Sequence, residues 1–250
     1  MLRVLGVEVR YNGSFALEGV EFDLREGEVV SIVGPNGAGK TTLLKVIDGL
    51  LKPKAGTVYI DGLKLQHLKE GDRAKLMGYV PQRLFGVSGL SVFEFVLAGR
   101  KPYVRGLPTR SDYRKVQAVL EELRIGYLAN RSISSLSGGE FQRVMIAKAL
   151  VTDPKILLMD EPTANLDPYF QREILKLSFS LAREKGILVL MVLHDLTQAL
   201  RYSDKVIMLH KGRIHAFGEP SAVLTEDNIE EVYGIKVKVL KDVKAVVPLS

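Results

Sequence analysis

A glycine-rich segment of the sequence has the residue types needed to bind a nucleoside triphosphate. It reads GPNGAGKT, follows the apolar run EVVSIV, and fits the pattern G-x-x-x-x-G-K-[ST]. Glycines let backbone N–H groups turn towards phosphates, and the start of the following helix adds a positive end. Lys40 is expected to reach the β- and γ-phosphates, and the Thr41 hydroxyl to ligate Mg²⁺. The predicted phosphate-binding residues are Gly34, Pro35, Asn36, Gly37, Ala38, Gly39, Lys40, Thr41 and Thr42.

Two acidic residues after another apolar run suggest the second half of the same site. The run KILLMD places Asp160 at the end of a buried strand, and Glu161 follows it directly. If this strand neighbours the one before the glycine segment, Asp160 would hold Mg²⁺, directly or through water. Glu161 would then lie near the γ-phosphate and could polarise a water as general base. Together the motifs predict a nucleoside-triphosphatase, but small-molecule kinases, GTPases, helicases and motor proteins share them.

The composition limits the class of protein and its partners. The 250 residues, 46% of them hydrophobic, suffice for one large domain or a domain with an insertion. No cysteine is present, which excludes disulfides, thiolate metal sites and cysteine nucleophiles. The formal charge of +6 favours anionic partners, although no interleaving of basic and aromatic residues indicates nucleic acid. No apolar run approaches the ~18 residues of a membrane span, so we expect a soluble protein.

Strands and helices alternate along most of the chain. Apolar runs such as ILVLMVL have the length of buried strands, and helices are predicted over Lys40 to Leu50 and over Pro168 to Lys185, with Asp167 as N-cap. This alternation predicts an α/β fold with a mainly parallel central sheet. The first 24 residues alternate like strands around the turn signal Asn12-Gly13, which predicts an N-terminal antiparallel β region.

A helical segment interrupts this alternation. From about Leu84 to Ala149 the sequence has helical character, beginning with a capping signal from Ser91 to Glu94. We therefore predict a single domain over residues 1–250, with a nucleotide-binding core of 1–83 and 150–250 and an inserted helical subdomain of 84–149. Apolar residues at helical spacing support the insertion, namely Val116, Val119, Leu120 and Leu123.

A second glycine turn distinguishes among the nucleoside-triphosphatases. Leu136-Ser137-Gly138-Gly139-Glu140 precedes FQRVMIAKAL and then DEP, and on these residues the chain resembles the ATP-binding-cassette (ABC) ATPases. Their signature is usually written LSGGQ, so Glu140 is a departure; Ser137 and Glu140 also form a capping pair. The resemblance, which covers about Met1 to Gly234, implies a P-loop NTPase core that uses ATP and Mg²⁺. It also implies a head-to-tail homodimer, in which Ser137, Gly138 and Gly139 of one subunit cover the ATP of the other.

The resemblance also assigns roles to residues outside the two phosphate motifs. Tyr11 matches the aromatic residue that stacks on adenine, and Gln82, after YVP, matches the glutamine that touches Mg²⁺ and the attacking water. His194 matches the switch histidine at the γ-phosphate, and Asn165-Leu166-Asp167 the loop that packs across the dimer. The implied catalytic residues are Glu161, His194 and Gln82, and the implied metal ligands are Thr41, Gln82 and Asp160. We interpret the remaining histidines as structural, namely His67, His210 and His215.

Two less specific segments narrow the resemblance to one kind of transporter. Gly99-Arg100-Lys101-Pro102-Tyr103 and AVLTEDNIEEVYGIKVKV resemble ATPases that drive uptake of iron-siderophore, haem and cobalamin compounds. This implies separate polytopic membrane permease subunits, an indirect link to an extracytoplasmic substrate-binding protein, and a peripheral location on the cytoplasmic face of the membrane. An importer ATPase for another substrate such as a free metal ion, a soluble ABC ATPase of metal-cluster assembly, and a metabolite kinase stay as alternatives.

The inserted segment also carries the densest basic cluster. This cluster contains a single acid, Asp112, and could face anionic lipid headgroups beside a membrane partner or simply be a solvated helical face. The basic residues are Arg100, Lys101, Arg105, Arg110, Arg114 and Lys115.

Overall fold

A computed structural model describes residues 1–11, 14–82, 89–104 and 106–249. The turn signal at residues 12–13, residues 84–88 of the predicted subdomain, and Arg105 of the basic cluster lie outside these ranges. The strands are β1 (Leu2–Tyr11), β2 (Ser14–Leu24), β3 (Val29–Val33), β4 (Ala55–Ile60), β5 (Leu63–Lys64), β6 (Met77–Val80), β7 (Ile156–Asp160), β8 (Leu188–Val192), β9 (Lys205–His210), β10 (Arg213–Gly218), β11 (Val237–Leu240) and β12 (Ala245–Pro248). The α-helices are α1 (Lys40–Asp48), α2 (Glu70–Leu76), α3 (Val92–Leu97), α4 (Arg110–Glu122), α5 (Gly138–Leu150), α6 (Pro168–Lys185), α7 (Leu196–Tyr202), α8 (Pro220–Val223) and α9 (Glu226–Tyr233).

Within the described residues, the central sheet has six strands in the order β10-β9-β3-β8-β7-β6. All neighbours in it run parallel except β10, which pairs antiparallel with β9. The strands β3, β7 and β8 are buried along their whole length, which explains their predominantly apolar sequences. A second, antiparallel sheet has the order β2-β1-β4-β5. The predicted fold class is thereby confirmed.

Two hydrophobic cores lie on opposite faces of the central sheet. Along β3, Val29 and Val33 face the core that contains α3 to α7, whereas Val30 and Ile32 face the core that contains α1 and the N-terminal sheet. This alternation follows from the two-residue period of a strand. The sheet is therefore the middle layer, and the loops at the carboxyl ends of its parallel strands meet along one edge.

The helical segment begins each of its longer helices with a side-chain cap. Ser91 and Glu94 form a capping box at α3, Thr109 and Asp112 form one at α4, and Ser137 caps α5. The four apolar residues predicted on one face, Val116, Val119, Leu120 and Leu123, are all buried. The boundaries of the inserted subdomain stay a prediction.

The structure divides the predicted basic cluster, because Arg100 points inwards. Its side chain is 12% exposed and its Nε lies 2.9 Å from Asp112 Oδ1. Arg100 also donates to the carbonyl oxygen of Val151 at 3.0 Å, and Lys115 pairs with Asp153. The interpretation of Arg100 as part of a basic surface was therefore wrong, since the buried start of α4 supplies it with a carboxylate.

None of the helices in the described part of the chain has both the length and the apolar character required to cross a membrane.

Candidate nucleotide site

The glycine segment forms a tight loop between β3 and α1. Gly34 has φ 148° and Gly39, the N-cap of α1, has φ 101°. A Cβ atom on Gly34 would lie 2.2 Å from the carbonyl oxygen of Leu209, and one on Gly39 would lie 2.4 Å from that of Ala16. Only glycine fits these two positions, because neighbouring backbone fills the space of a side chain.

Lys40 folds back over this phosphate loop (residues 34–41). Its side chain is buried, and Nζ donates to the carbonyl oxygens of Gly34 at 2.7 Å and Pro35 at 2.9 Å. Burial lowers the pKa of the Lys40 ammonium, and the nearby carboxylates of Glu161 and Asp160 oppose that shift. The loop therefore brings together backbone N–H groups, a helix N-terminus and an ammonium, which are the groups that bind a triphosphate.

Thr41 and Asp160 form a pair of oxygen ligands beside the loop. The Thr41 hydroxyl donates to Asp160 Oδ1 at 3.1 Å, and Asp160 is 4% exposed. Burial raises the pKa of the Asp160 carboxyl, while the Thr41 hydrogen bond lowers it. Mg²⁺ prefers such hard oxygen ligands and needs only one or two carboxylates when phosphates supply the others. The two side chains fit the predicted metal site.

Strand β7, which carries Asp160, does not lie next to β3. Strand β8 pairs with both β3 and β7 and so lies between them. Asp160 still reaches Thr41, because α1 packs against β7 on the same face of the sheet. The helix after the phosphate loop, rather than adjacent strands, brings the two motifs together.

Two side chains contact the carboxylate of Glu161 at the carboxyl ends of the strands. His194 Nε2 lies 2.6 Å from Glu161 Oε1, and Gln82 Nε2 donates to Oε2. The three residues follow the neighbouring parallel strands β8, β7 and β6, so they meet at the carboxyl ends. Glu161 has φ 53°, an uncommon conformation for this residue that often accompanies a functional site. The arrangement can hold an oriented carboxylate at the place where a water would attack.

The second glycine turn closes on itself at the start of α5. Ser137 Oγ and the Ser137 amide both donate to Glu140 Oε2 at 2.9 Å, and Arg131 Nη1 lies 3.5 Å from Oε1. The hydrogen bonds from Ser137 lower the pKa of the Glu140 carboxyl, and the one from the Ser137 backbone has the largest effect. A Cβ on Gly139 would lie 2.4 Å from the Phe170 ring, so glycine is required there. Ser137 and Gly138 are exposed at the surface.

The predicted site residues fall into two groups. Phosphate-loop residues lie with Gln82, Asp160, Glu161 and His194, linked by the contacts above. Tyr11 is half exposed at the end of β1 and pairs with Ser14, two residues before Ala16, whose carbonyl oxygen contacts the phosphate loop. The turn of residues 137–139 instead contacts Leu166 and Phe170, near the start of α6.

Two tyrosines near the site had no role in the sequence argument. Tyr79 lies on β6, and burial, followed by the charges of Asp160 and Asp48, raises the pKa of its phenol. The hydroxyl of Tyr233 is buried with no hydrogen-bond partner among the described residues. Burial raises the pKa of Tyr233 to about 12, and the nearby backbone of Gly34 opposes that rise. No sequence signal indicates either tyrosine, because the placement of Tyr79 on a strand next to β7 depends on the strand order.

Comparison with known proteins gives consistent matches along the chain. The family model described as "ABC transporter" matches residues 17–164. An uncharacterized ABC transporter ATP-binding protein of Methanocaldococcus jannaschii is 44% identical, covering 100% of this chain and 98% of the relative. A hemin import ATP-binding protein of Gloeobacter violaceus is 37% identical, covering 100% of this chain and 93% of the relative. A solved inward-facing structure, described as of metal-chelate type, has a TM-score of 0.86 at 28% identity and covers 100% and 97% of the two chains.

Proposed function

This chain belongs to the ABC transporter family of ATPases, and we propose that it is the ATP-hydrolysing subunit of a metal-chelate importer. The substrate class would be of the iron-siderophore, haem or cobalamin type. Full-length similarity to a hemin import protein and to a transporter described as metal-chelate type supports this class. The sequences of the segments Gly99 to Tyr103 and Ala222 to Val239 favour the same substrate class.

The observation that carries the proposal is the Glu161 carboxylate, held by Gln82 and His194 next to the phosphate loop. Glu161 would accept a proton from the water that attacks the γ-phosphate, giving ADP and phosphate. Lys40 and the loop amides would stabilise the charge on the phosphate oxygens. Mg²⁺, held by Thr41 and Asp160 and touched by Gln82, would supply further charge neutralisation.

The exposure of several predicted site residues supports a dimer as the working unit. The His194 side chain is 48% exposed, and Tyr11, Asn36 and Gly37 are also exposed. Phosphoryl transfer benefits from a closed site that excludes bulk water. We propose that the Ser137-Gly138-Gly139 turn of a second copy, exposed at Ser137 and Gly138, covers the ATP. ATP binding would favour the closed dimer, and hydrolysis would reopen it.

The partners would be separate polytopic membrane subunits at the cytoplasmic face of the membrane. They would convert opening and closing of the dimer into alternating access. An extracytoplasmic substrate-binding protein would deliver the cargo to them. The cargo would therefore touch those chains and not this one.

A reconstituted transporter tests this proposal. With its membrane subunits in proteoliposomes, the wild-type protein should drive ATP-dependent uptake of hemin, a ferric hydroxamate or cobalamin. Glu161→Gln should abolish uptake and slow hydrolysis by about 10²- to 10⁴-fold, because the general base is lost. The same variant should still form a dimer with ATP, as measured by size-exclusion chromatography.

Glu184→Gln, an exposed change on α6 away from the site, is the matched control and should leave turnover unchanged. Normal turnover in Glu161→Gln would exclude Glu161 as the base. Hydrolysis without uptake of any of these chelates would contradict the assignment to a metal-chelate importer.

A further inference from the structure

Three polar side chains connect the loop after Glu161 to the helix after His194. The Thr163 hydroxyl donates to Gln198 Oε1 at 3.0 Å, and Gln198 Nε2 donates to Gln171 Oε1 at 2.8 Å. Thr163 is 8% exposed, and both glutamines are partly buried. None of these three residues has a role in the nucleotide site described above.

The second glutamine holds the backbone of the same loop. Gln171 Nε2 donates to the carbonyl oxygens of Thr163 at 3.2 Å and Leu166 at 3.0 Å. Because both of its N–H groups are used, the Gln171 oxygen faces Gln198, and one amide orientation fixes the other. The hydrogen-bond network therefore permits a single arrangement of the two side chains.

The network has two ends with different neighbours. At one end, Gln198 lies in the first turn of α7, where its backbone N–H donates to the capping carboxylate of Asp195 at 3.1 Å, next to His194. At the other end lies the segment 163–167, in which Asn165 has φ 59° and, like Asp167, is exposed. One end thus adjoins the contact to Glu161, and the other presents side chains at the surface.

We propose that Gln198 and Gln171 are positioning residues that make the segment 163–167 and the start of α7 move as one unit. A shift of His194 on ATP binding would then reach the exposed segment that meets the second copy, which couples the two ATP sites. This inference rests on the proposed ATP-bound dimer. The physical reason is that either end can move alone only if partly buried amide groups lose their hydrogen bonds.

Hydrogen exchange of the full chain measures this coupling directly. With Mg²⁺ and a non-hydrolysable ATP analogue, peptides covering 163–167 and 195–202 of the wild-type protein should both become protected. In Gln198→Leu, protection of 195–202 should persist, while 163–167 should exchange about two- to tenfold faster than in the wild type. Gln198→Glu keeps the acceptor for Thr163 but loses the donor to Gln171, so its effect should be intermediate.

The matched control is Gln117→Leu on α4, an exposed glutamine that donates to Glu121 Oε1 on the neighbouring turn at 2.9 Å. The Hill coefficient for ATP hydrolysis should fall towards one in Gln198→Leu and stay unchanged in Gln117→Leu. A purely structural role would instead speed exchange throughout α7 even without nucleotide.

Joint protection of both segments in Gln198→Leu, or an equal loss in Gln117→Leu, would overturn the coupling role alone. A wild-type protein in which the analogue protects neither segment would contradict the proposed nucleotide site, and the coupling role with it.

Discussion

At the scale of single residues, Glu140 is the departure from the usual family signature that the structure explains. Its carboxylate receives two hydrogen bonds from Ser137, and these lower its pKa, so it is ionised at neutral pH. The same bonds occupy the Ser137 hydroxyl proton. In the proposed dimer, Ser137 faces the triphosphate of the other subunit. The negative charge of Glu140 would repel that triphosphate.

Glu140→Gln should therefore tighten the ATP-dependent dimer. Removing one like charge at a partly exposed site should lower the ATP concentration for half-maximal dimerisation by about 2- to 5-fold at low salt. The gain should shrink as added salt screens the interaction. Sedimentation velocity in the Glu161→Gln background, at two salt concentrations, measures it.

Glu121→Gln, on the exposed face of α4, is the control for an unspecific charge effect. An equal gain there, or weaker dimerisation by Glu140→Gln at low salt, would contradict this view of Glu140.

The residue types of the site could be predicted from sequence, but their mutual contacts could not. The glycine loop and the pair Asp160 and Glu161 are local patterns, and local patterns are visible in a sequence. The bonds from Gln82 and His194 to Glu161 join residues that are 79 and 33 positions apart and depend on the order of the strands. The two glutamines of the coupling network gave no signal, because isolated glutamines usually belong to solvated surfaces.

At the scale of elements, the segment from Gly99 to Tyr103 anchors the chain against α4 and α5 and does not form an exposed basic surface. A Cβ on Gly99 would lie 2.5 Å from the carbonyl oxygen of Lys148, so the chain passes close to α5 there. Arg100 then pairs with Asp112 at the start of α4, and the Tyr103 hydroxyl donates to the carbonyl oxygen of Thr152 at 2.9 Å. Sequence spacing showed the charges but not which way Arg100 points, since that depends on packing between α4 and α5.

Arg100→Met should lower the free energy of unfolding by about 3 kcal/mol, because it leaves the buried Asp112 carboxylate without its cation. Lys115→Met is the control. It breaks the ion pair of Lys115 and Asp153, whose side chains are 31% and 64% exposed, respectively. The free energy of unfolding should therefore fall by less than about 1 kcal/mol. Urea denaturation of both variants measures the two values. Equal losses would contradict the anchoring role.

The same pair should give a pH dependence. Hydrogen bonds from Thr109 and Arg100 lower the pKa of Asp112 to about 2 in the folded protein. Because this lies below the unfolded value of about 3.9, the stabilisation is complete above that value and is lost as the pH falls through the folded pKa. The stability gap between the wild type and Asp112→Asn should thus close from about pH 4 towards pH 2. A gap that widens as acid is added would contradict this assignment.

At the scale of the whole molecule, alternating strands and helices predicted the parallel sheet but not its strand order. Burial patterns show how many faces of a strand are covered, whereas they do not show which strand lies beside it. The sequence therefore did not indicate that β8 lies between β3 and β7. The antiparallel direction of β10 at the edge of the central sheet could not be predicted either, because the apolar pattern of a strand does not depend on its direction.

The molecule as a whole keeps the two groups of predicted nucleotide-binding residues apart. The phosphate loop, Glu161 and His194 lie together, whereas Ser137 and Gly138 are exposed and the adjoining Gly139 packs against Phe170 at the start of α6. In the proposed dimer two copies complete each other, so that each ATP lies between the phosphate loop of one subunit and the Ser137 turn of the other.

Linked dimers of defined composition test this claim most directly, with Lys40→Met to disable a phosphate loop and Ser137→Arg to disable a turn. If the sites are shared, placing the two changes in opposite subunits leaves one complete site, and placing both in one subunit leaves none. We predict that ATP is hydrolysed only by the dimer with the changes in opposite subunits. Hydrolysis only by the dimer with both changes in one subunit would mean that each chain builds its own site, and would contradict the account.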